Sequence, residues 1–162
     1  MPNNSVLKDL NTALQMELTA AHQYQLHAHV LDDWGLDRLA AQMREEFAEE
    51  NEHSNRFLER IFDLGGEPEM GFANTPKIAK SLSDMFESDL KDEKEAVAFY
   101  TRASKNAYEA DDLASKALFE EIAIDEVGHA NWLDQQLGLI ERLGEERYAS
   151  KQISGGAADE EG

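Results

Sequence analysis

Two short stretches, "EENEH" at 49–53 and "DEVGH" at 125–129, each place a glutamate three residues before a histidine: Glu50 with His53, and Glu126 with His129. On a helix, positions i and i+3 project from the same side, so each pair offers one carboxylate and one imidazole nitrogen to a common centre. Two further glutamates, Glu17 and Glu93, stand in the same relation to the pairs. Glu17, Tyr24, Glu50 and His53 recur as Glu93, Tyr100, Glu126 and His129, each displaced by 76 positions. A set of carboxylates and imidazoles repeated in this way has the composition of a site for two cations. Four carboxylate charges balance two divalent ions, and oxygen with imidazole donors suits iron, manganese or zinc.

The positions themselves show why these carboxylates need compensation. Seven-residue steps return to nearly the same side of a helix and give Leu10, Glu17, Tyr24, Leu31, then Met43, Glu50, Phe57, Leu64. The second half gives Phe86, Glu93, Tyr100, Ala107, then Phe119, Glu126, Leu133, Ile140. A glutamate thus interrupts each of four otherwise largely apolar stripes. An isolated buried carboxylate is costly, so such a residue must be protonated, paired or bound to metal.

The elements that carry these stripes are delimited by punctuation. Three prolines and ten glycines occur in the chain, most of them in "GGEPEMGFANTPK" (65–77) and "SGGAADEEG" (154–162). Helices are expected over about 5–33, 36–64, 81–110 and 112–144, with Gly35 ending the first, Ser81 or Ser83 capping the third and Asp111 or Asp112 capping the fourth. A short fifth helix is expected over 145–152. Short links join helices one to two and three to four, whereas the middle link is long enough to cross a bundle. An all-α four-helix bundle follows, two antiparallel hairpins tied by a long crossover, forming one domain over 1–153 with an acidic, disordered tail over 154–162.

Composition narrows the function. The 162 residues include 34 acidic and 15 basic side chains, a formal net charge of −19, which disfavours nucleic acid and anionic membranes. With no cysteine, zinc knuckles, iron–sulfur clusters and thiolate catalysis are excluded. No apolar run approaches a membrane span and the N-terminus lacks the pattern of an export signal, so a cytoplasmic location is expected.

Several neighbours of the pairs have expected roles. Glu49 and Asp125 precede the motifs and are placed to accept a hydrogen bond from a ligand histidine's outer nitrogen; solvent exposure is the alternative for each. Tyr24 and Tyr100 lie two turns beyond Glu17 and Glu93, close enough to hydrogen-bond a ligand or to donate an electron, with packing an equal alternative for Tyr100. Gly128 is expected to let a neighbouring group approach beside His129. His22, His27 and His29 have no partner pattern and are read as surface or interface residues.

Over nearly its whole length the chain resembles the bacterioferritins, through "NTALQMELTAAHQYQLHAHVLDDWGL", "FAEENEHSNRFLERI" and "IDEVGHANWLDQQLGLIERLG". The resemblance implies a ferritin-like fold and a ferroxidase centre of two iron ions. Its ligands would be Glu17, Glu50, His53, Glu93, Glu126 and His129, with Glu50 and Glu126 as bridges and Tyr24 nearby. It further implies oxidation of Fe(II) by oxygen or peroxide, storage of the ferric mineral in a hollow cage of 24 subunits built from dimers, and an interface role for the fifth helix. Two positions depart from the family pattern. The methionine that holds haem between subunits in that family is replaced by Asn51, which has no thioether, and Met43 lies about 80° away around the helix. This counts against haem b and points to a haem-free homo-oligomer or a mixed cage with a haem-binding subunit. Glu45 stands where the family places a histidine for an inner-surface iron; with Glu49 it is expected to guide iron inward. The alternatives are a di-metal oxidase or peroxidase related to rubrerythrin, without storage, and a structural subunit of a mixed cage.

Overall fold

The computed structural model describes residues 3–155, which form five helices: α1 (Asn4–Asp33), α2 (Asp37–Asp63), α3 (Leu82–Glu109), α4 (Leu113–Leu143) and α5 (Glu145–Ser150). α1, α3 and α4 begin where a side chain satisfies a free amide group of the first turn. Asn3 accepts from the Ser5 amide, Ser81 from Asp84 and Asp112 from Ser115. α5 is shorter than the sequence predicts, and Ser154 beyond it hydrogen-bonds Asp37. Residues 156–162, the greater part of the expected tail, lie outside the described residues.

The two hairpin turns are built alike. α1 ends with Gly35 N–H donating to Asp32 O and Leu36 N–H to Leu31 O, and α3 ends with the same pair of bonds, Asp111 to Tyr108 and Asp112 to Ala107. This termination needs a left-handed residue. Gly35 supplies it at φ +80° and Asp111 at φ +58°.

α1 packs against α2 and α3 against α4, and the hairpins meet through α1–α3 and α2–α4 contacts. The crossover is seated along one face of α1 by side chains spaced four residues apart. Asn11 bonds Glu67 O and Glu69 N, Gln15 bonds Glu69 O, Thr19 accepts from Ala73 N, and Gln23 pairs with both backbone groups of Lys77. The apolar core divides into two clusters. One gathers Leu10, Leu14, Phe57, Ile61, Tyr100 and Phe119, and the other Leu31, Met43, Met85, Phe86, Leu133 and Tyr148. The glutamates of the four stripes are buried as well. Among the described residues, no helix is long and apolar enough to cross a membrane.

Candidate metal centre

The six acidic and imidazole residues singled out by spacing come together inside the bundle. Glu17 comes from α1, Glu50 and His53 from α2, Glu93 from α3, and Glu126 and His129 from α4; none is more than 8% exposed. They form two overlapping quartets, Glu17–Glu50–His53–Glu126 and Glu50–Glu93–Glu126–His129. Within each, one ligand atom per residue lies within 4.8 Å of all the others. Glu50 and Glu126 belong to both. Glu126 Oε1 is 2.9 Å from His53 Nδ1 while its Oε2 is 3.4 Å from His129 Nδ1, and Glu50 Oε1 is 2.9 Å from His129 Nδ1 and 3.9 Å from His53 Nδ1.

Around this centre every supporting bond runs from one hairpin to the other. Tyr24 on α1 donates to Glu93 Oε1 at 2.5 Å, and Tyr100 on α3 donates to Glu17 Oε1 at 2.6 Å. Asp125 on α4 accepts from His53 Nε2 at 3.0 Å, and Glu49 on α2 accepts from His129 Nε2 at 2.9 Å. Each acceptor fixes the proton on the outer nitrogen and leaves Nδ1 facing the centre. Both acids reach solvent while serving a buried ring, so exposure and hydrogen bonding coexist.

The electrostatics are those of a site lacking cations. Burial together with the Glu17 and Glu126 charges pushes Glu50 well above the ordinary carboxylate range, and burial with Glu126 does the same to Glu93. Burial opposes protonation of the histidines, but the facing carboxylates of Glu126 and Glu17 override it and raise His53 to about 10. His129 is likewise raised against its burial by Glu126, Glu46, Glu50 and Glu93. Glu126 is held low: burial works against this, and the neighbouring Glu93 carboxyl and the two facing imidazoles prevail. Burial, reinforced by Glu93, holds Tyr24 as the neutral phenol; burial with Glu17 does so for Tyr100. Packed this closely, the carboxylates and imidazoles favour the uptake of positive charge at the centre.

Buried atoms left without a hydrogen bond mark that centre. Among the described residues they are Glu17 Oε2, Glu50 Oε1, His53 Nδ1, Glu93 Oε2, Glu126 Oε1, His129 Nδ1 and Glu46 Oε2. Six of these seven come one each from the six central residues. Buried polar atoms are nearly always bonded, so the cluster of orphans has the chemistry of a donor set for metal. Access comes from a cavity of about 60 Å³ between α1, α3 and crossover residues Ala73 and Asn74, with Glu17, Glu50, Glu93 and Glu126 in its lining and Asp89 and Asp92 beside them.

A model of the ferritin-like domain matches residues 7–143. The bacterioferritin of Brucella melitensis is 39% identical over 155 residues, covering 96% of this chain and 95% of the relative, and that of Rhodobacter capsulatus is 37% identical over 144 residues, covering 89% of each. The chain belongs to the ferritin-like family. Family members of known structure overlay closely. The Rhodobacter capsulatus bacterioferritin, described with a metal-free dinuclear site and haem iron, superposes with a TM-score of 0.92 at 34% identity, covering 97% of this chain and 99% of that one. Mycobacterium tuberculosis BfrA gives 0.91 at 36%, covering 94% and 96%. The all-α fold with its crossover and fifth helix is thus that of the bacterioferritins.

Two local expectations, for His27 and Gly128, require correction. His27 is not a surface residue: it is 1% exposed and its Nδ1 bonds Asp89 Oδ2 at 3.0 Å. Gln23, whose amide is oriented by both backbone groups of Lys77, donates to His27 Nε2, so the proton of the ring lies on Nδ1. The partner is 62 residues away on another helix, beyond the reach of local spacing. His29 is exposed, and His22 packs half-buried against Phe47 and Phe72. Gly128 is exposed, and a Cβ there would meet nothing within 4 Å, so no close approach depends on it within the subunit. Glu45 is exposed and joins no ligand cluster; the neighbouring Glu46 is the residue that turns inward.

Proposed function

We propose that this protein stores iron, oxidising Fe(II) to Fe(III) at a di-iron centre within each subunit. The supporting observation is the convergence of six orphaned donor atoms from four helices on one buried place, in a chain of the ferritin-like family. Glu17 and His53 would hold one ion and Glu93 and His129 the other, with Glu50 and Glu126, which belong to both quartets, available to both. The two Fe(II) supply two electrons, enough to reduce oxygen to peroxide or peroxide to two waters. Tyr24 and Tyr100 orient the carboxylates of the opposite hairpin, and Asp125 and Glu49 fix the histidine tautomers. Tyr24, buried at the lining of the cavity, is also placed to give up an electron.

Storage calls for a cage, which we read as one of 24 subunits in the cytoplasm, as the family resemblance implies. Exposed apolar side chains such as Phe62, Ile78, Tyr108, Leu113 and Ile124 are surface that assembly would cover. The residues do not fit haem at the family position: Asn51 is an exposed amide, and Met43 is fully buried in the core. We therefore assign this chain a haem-free subunit, in a homo-oligomer or in a mixed cage with a haem-binding partner.

Aerobic addition of Fe(II) tests the reading. Wild-type protein should oxidise it much faster than a Glu17→Ala, Glu126→Ala double variant and retain the ferric product in a particle of cage size. Equal rates would overturn the ferroxidase assignment, and a dimer by light scattering would overturn storage.

A further inference from the structure

The cavity beside the di-metal centre has a wall that the ligand chemistry does not use. Met16, one residue before Glu17 on α1, lines it together with Glu17, Glu50, Glu93 and Glu126. The position equivalent to Met16 in the other hairpin is Asp92, which lines the same cavity from α3. The copied hairpins therefore meet this space with a thioether on one side and a carboxylate on the other. A carboxylate attracts cations, whereas a thioether is a poor partner for hard cations and reacts with neutral oxidants. The uncharged polar side chains of the α1 wall are committed: Thr19 bonds Gln15 O and Ala73 N, Gln23 bonds Lys77 and His27, and Tyr24 donates to Glu93. Met16 is half-buried and packs against the core cluster of Leu10, Leu14 and Phe57. The other described methionines are placed differently. Met43 and Met85 are sealed in the core, and Met70 stands on the crossover, 62% exposed.

We propose that Met16 is an oxidation site of this protein, where its thioether intercepts hydrogen peroxide leaving the centre through the cavity. The inference rests on the di-iron reading, in which two Fe(II) pass two electrons to oxygen and, with two protons, yield hydrogen peroxide. At Met16 a sulfur lone pair attacks one peroxide oxygen and the O–O bond breaks. The sulfoxide S=O bond forms, the sulfur loses two electrons, and the second oxygen leaves as water with both protons. Oxidant is thereby spent on a side chain whose sulfoxide can be reduced again by methionine sulfoxide reductases, and not on the ligands that share the cavity.

Repeated aerobic additions of two Fe(II) per subunit, followed by peptide mass spectrometry, test it, with catalase present to destroy peroxide that reaches bulk solution. Sulfoxide should accumulate at Met16 several-fold faster than at Met70 despite the greater exposure of Met70, while Met43 and Met85 stay reduced. In the Glu17→Ala, Glu126→Ala variant under the same dosing, the excess at Met16 should vanish. Met16→Leu should release more peroxide per Fe(II) oxidised over the first additions when catalase is left out. The proposal is overturned if Met16 stays reduced in protein that oxidises Fe(II), if Met70 is oxidised as fast as Met16, if the double variant keeps the excess, or if M16L releases no more peroxide than wild type. Wild type that oxidises Fe(II) no faster than the double variant would instead overturn the di-iron reading on which the proposal rests.

Discussion

The α1–α2 and α3–α4 hairpins carry the same glutamates, tyrosines and histidines at one offset, yet differ at positions beside them. Glu46 faces Ile122 in this correspondence, the His27–Asp89 pair is matched by Ala103 and Ala13, and Gly35 by Asp111. What the hairpins share is what a two-ion site needs on both sides. What they do not share makes the two halves of the centre unequal: the His129 side has an additional buried carboxylate, and the crossover side of α1 has a buried imidazole–carboxylate pair that its counterpart lacks. A repeated sequence therefore produces a centre symmetric in its ligands and asymmetric in its surroundings.

The largest expected effect comes from the residues common to both quartets. Glu126→Ala removes a donor from both ion positions and should slow Fe(II) oxidation by more than ~100-fold, the upper end of what even supporting residues cost a metal site. Glu17→Ala, which touches one quartet, should cost less; stopped-flow oxidation rates compare them. Equal losses would mean that the two positions are not separable.

Next come the acids behind the histidines, where the hairpins should part. Asp125→Asn should weaken metal binding by roughly 10–100-fold, the usual cost of losing a histidine's outer partner. Glu49→Gln should be milder, because Glu46 Oε2 stands 3.0 Å from the same nitrogen and can take over the bond. Isothermal titration with a redox-inert divalent ion reads both, and the reverse order would remove Glu46 from the account.

Acidity gives a third contrast, between metal-free and metal-loaded protein. His53 is raised from 6.5 to about 10 by the folded protein, so its contribution to stability is complete below pH 6.5 and is lost as pH rises through about 10. Metal-free protein should therefore lose thermal stability between pH 7 and 10, and metal should flatten that slope while releasing protons on binding. Scanning calorimetry and pH-stat titration check the two halves of this statement.

The smallest effect belongs to the turns. Asp111 adopts the left-handed conformation that Gly35 adopts without strain, so Asp111→Gly should stabilise the protein by up to about 1 kcal/mol and Gly35→Ala should destabilise it by at least as much. Chemical denaturation of the two variants decides it.

How much of this could be read from residues alone follows the same division. Helix ends were legible because caps and glycines act locally: Ser81 and Asp112 sit where the pattern puts them. The centre was legible because a seven-residue step and a fixed offset are periodic signals, and a glutamate in an apolar stripe is conspicuous. Contacts between hairpins were not. Nothing in the spacing says that Tyr24 reaches Glu93 or that His27 finds Asp89, since both depend on how α1 and α3 pack. Glu46 had a signal, lying four residues before Glu50 on the same face, but it was hidden among the acidic neighbours Glu45, Glu49 and Glu52. Gly128 misled because its place beside His129 in sequence conceals an outward orientation.

The central claim is that six side chains from two copied hairpins hold a pair of iron ions inside the bundle. Crystals soaked in Fe(II) without oxygen, measured across the iron absorption edge, test it most directly. The account predicts a pair of anomalous peaks in each subunit between Glu50 and Glu126, one beside His53 and one beside His129. Peaks elsewhere, or none while the six donors remain tied to protons and to each other, would contradict it.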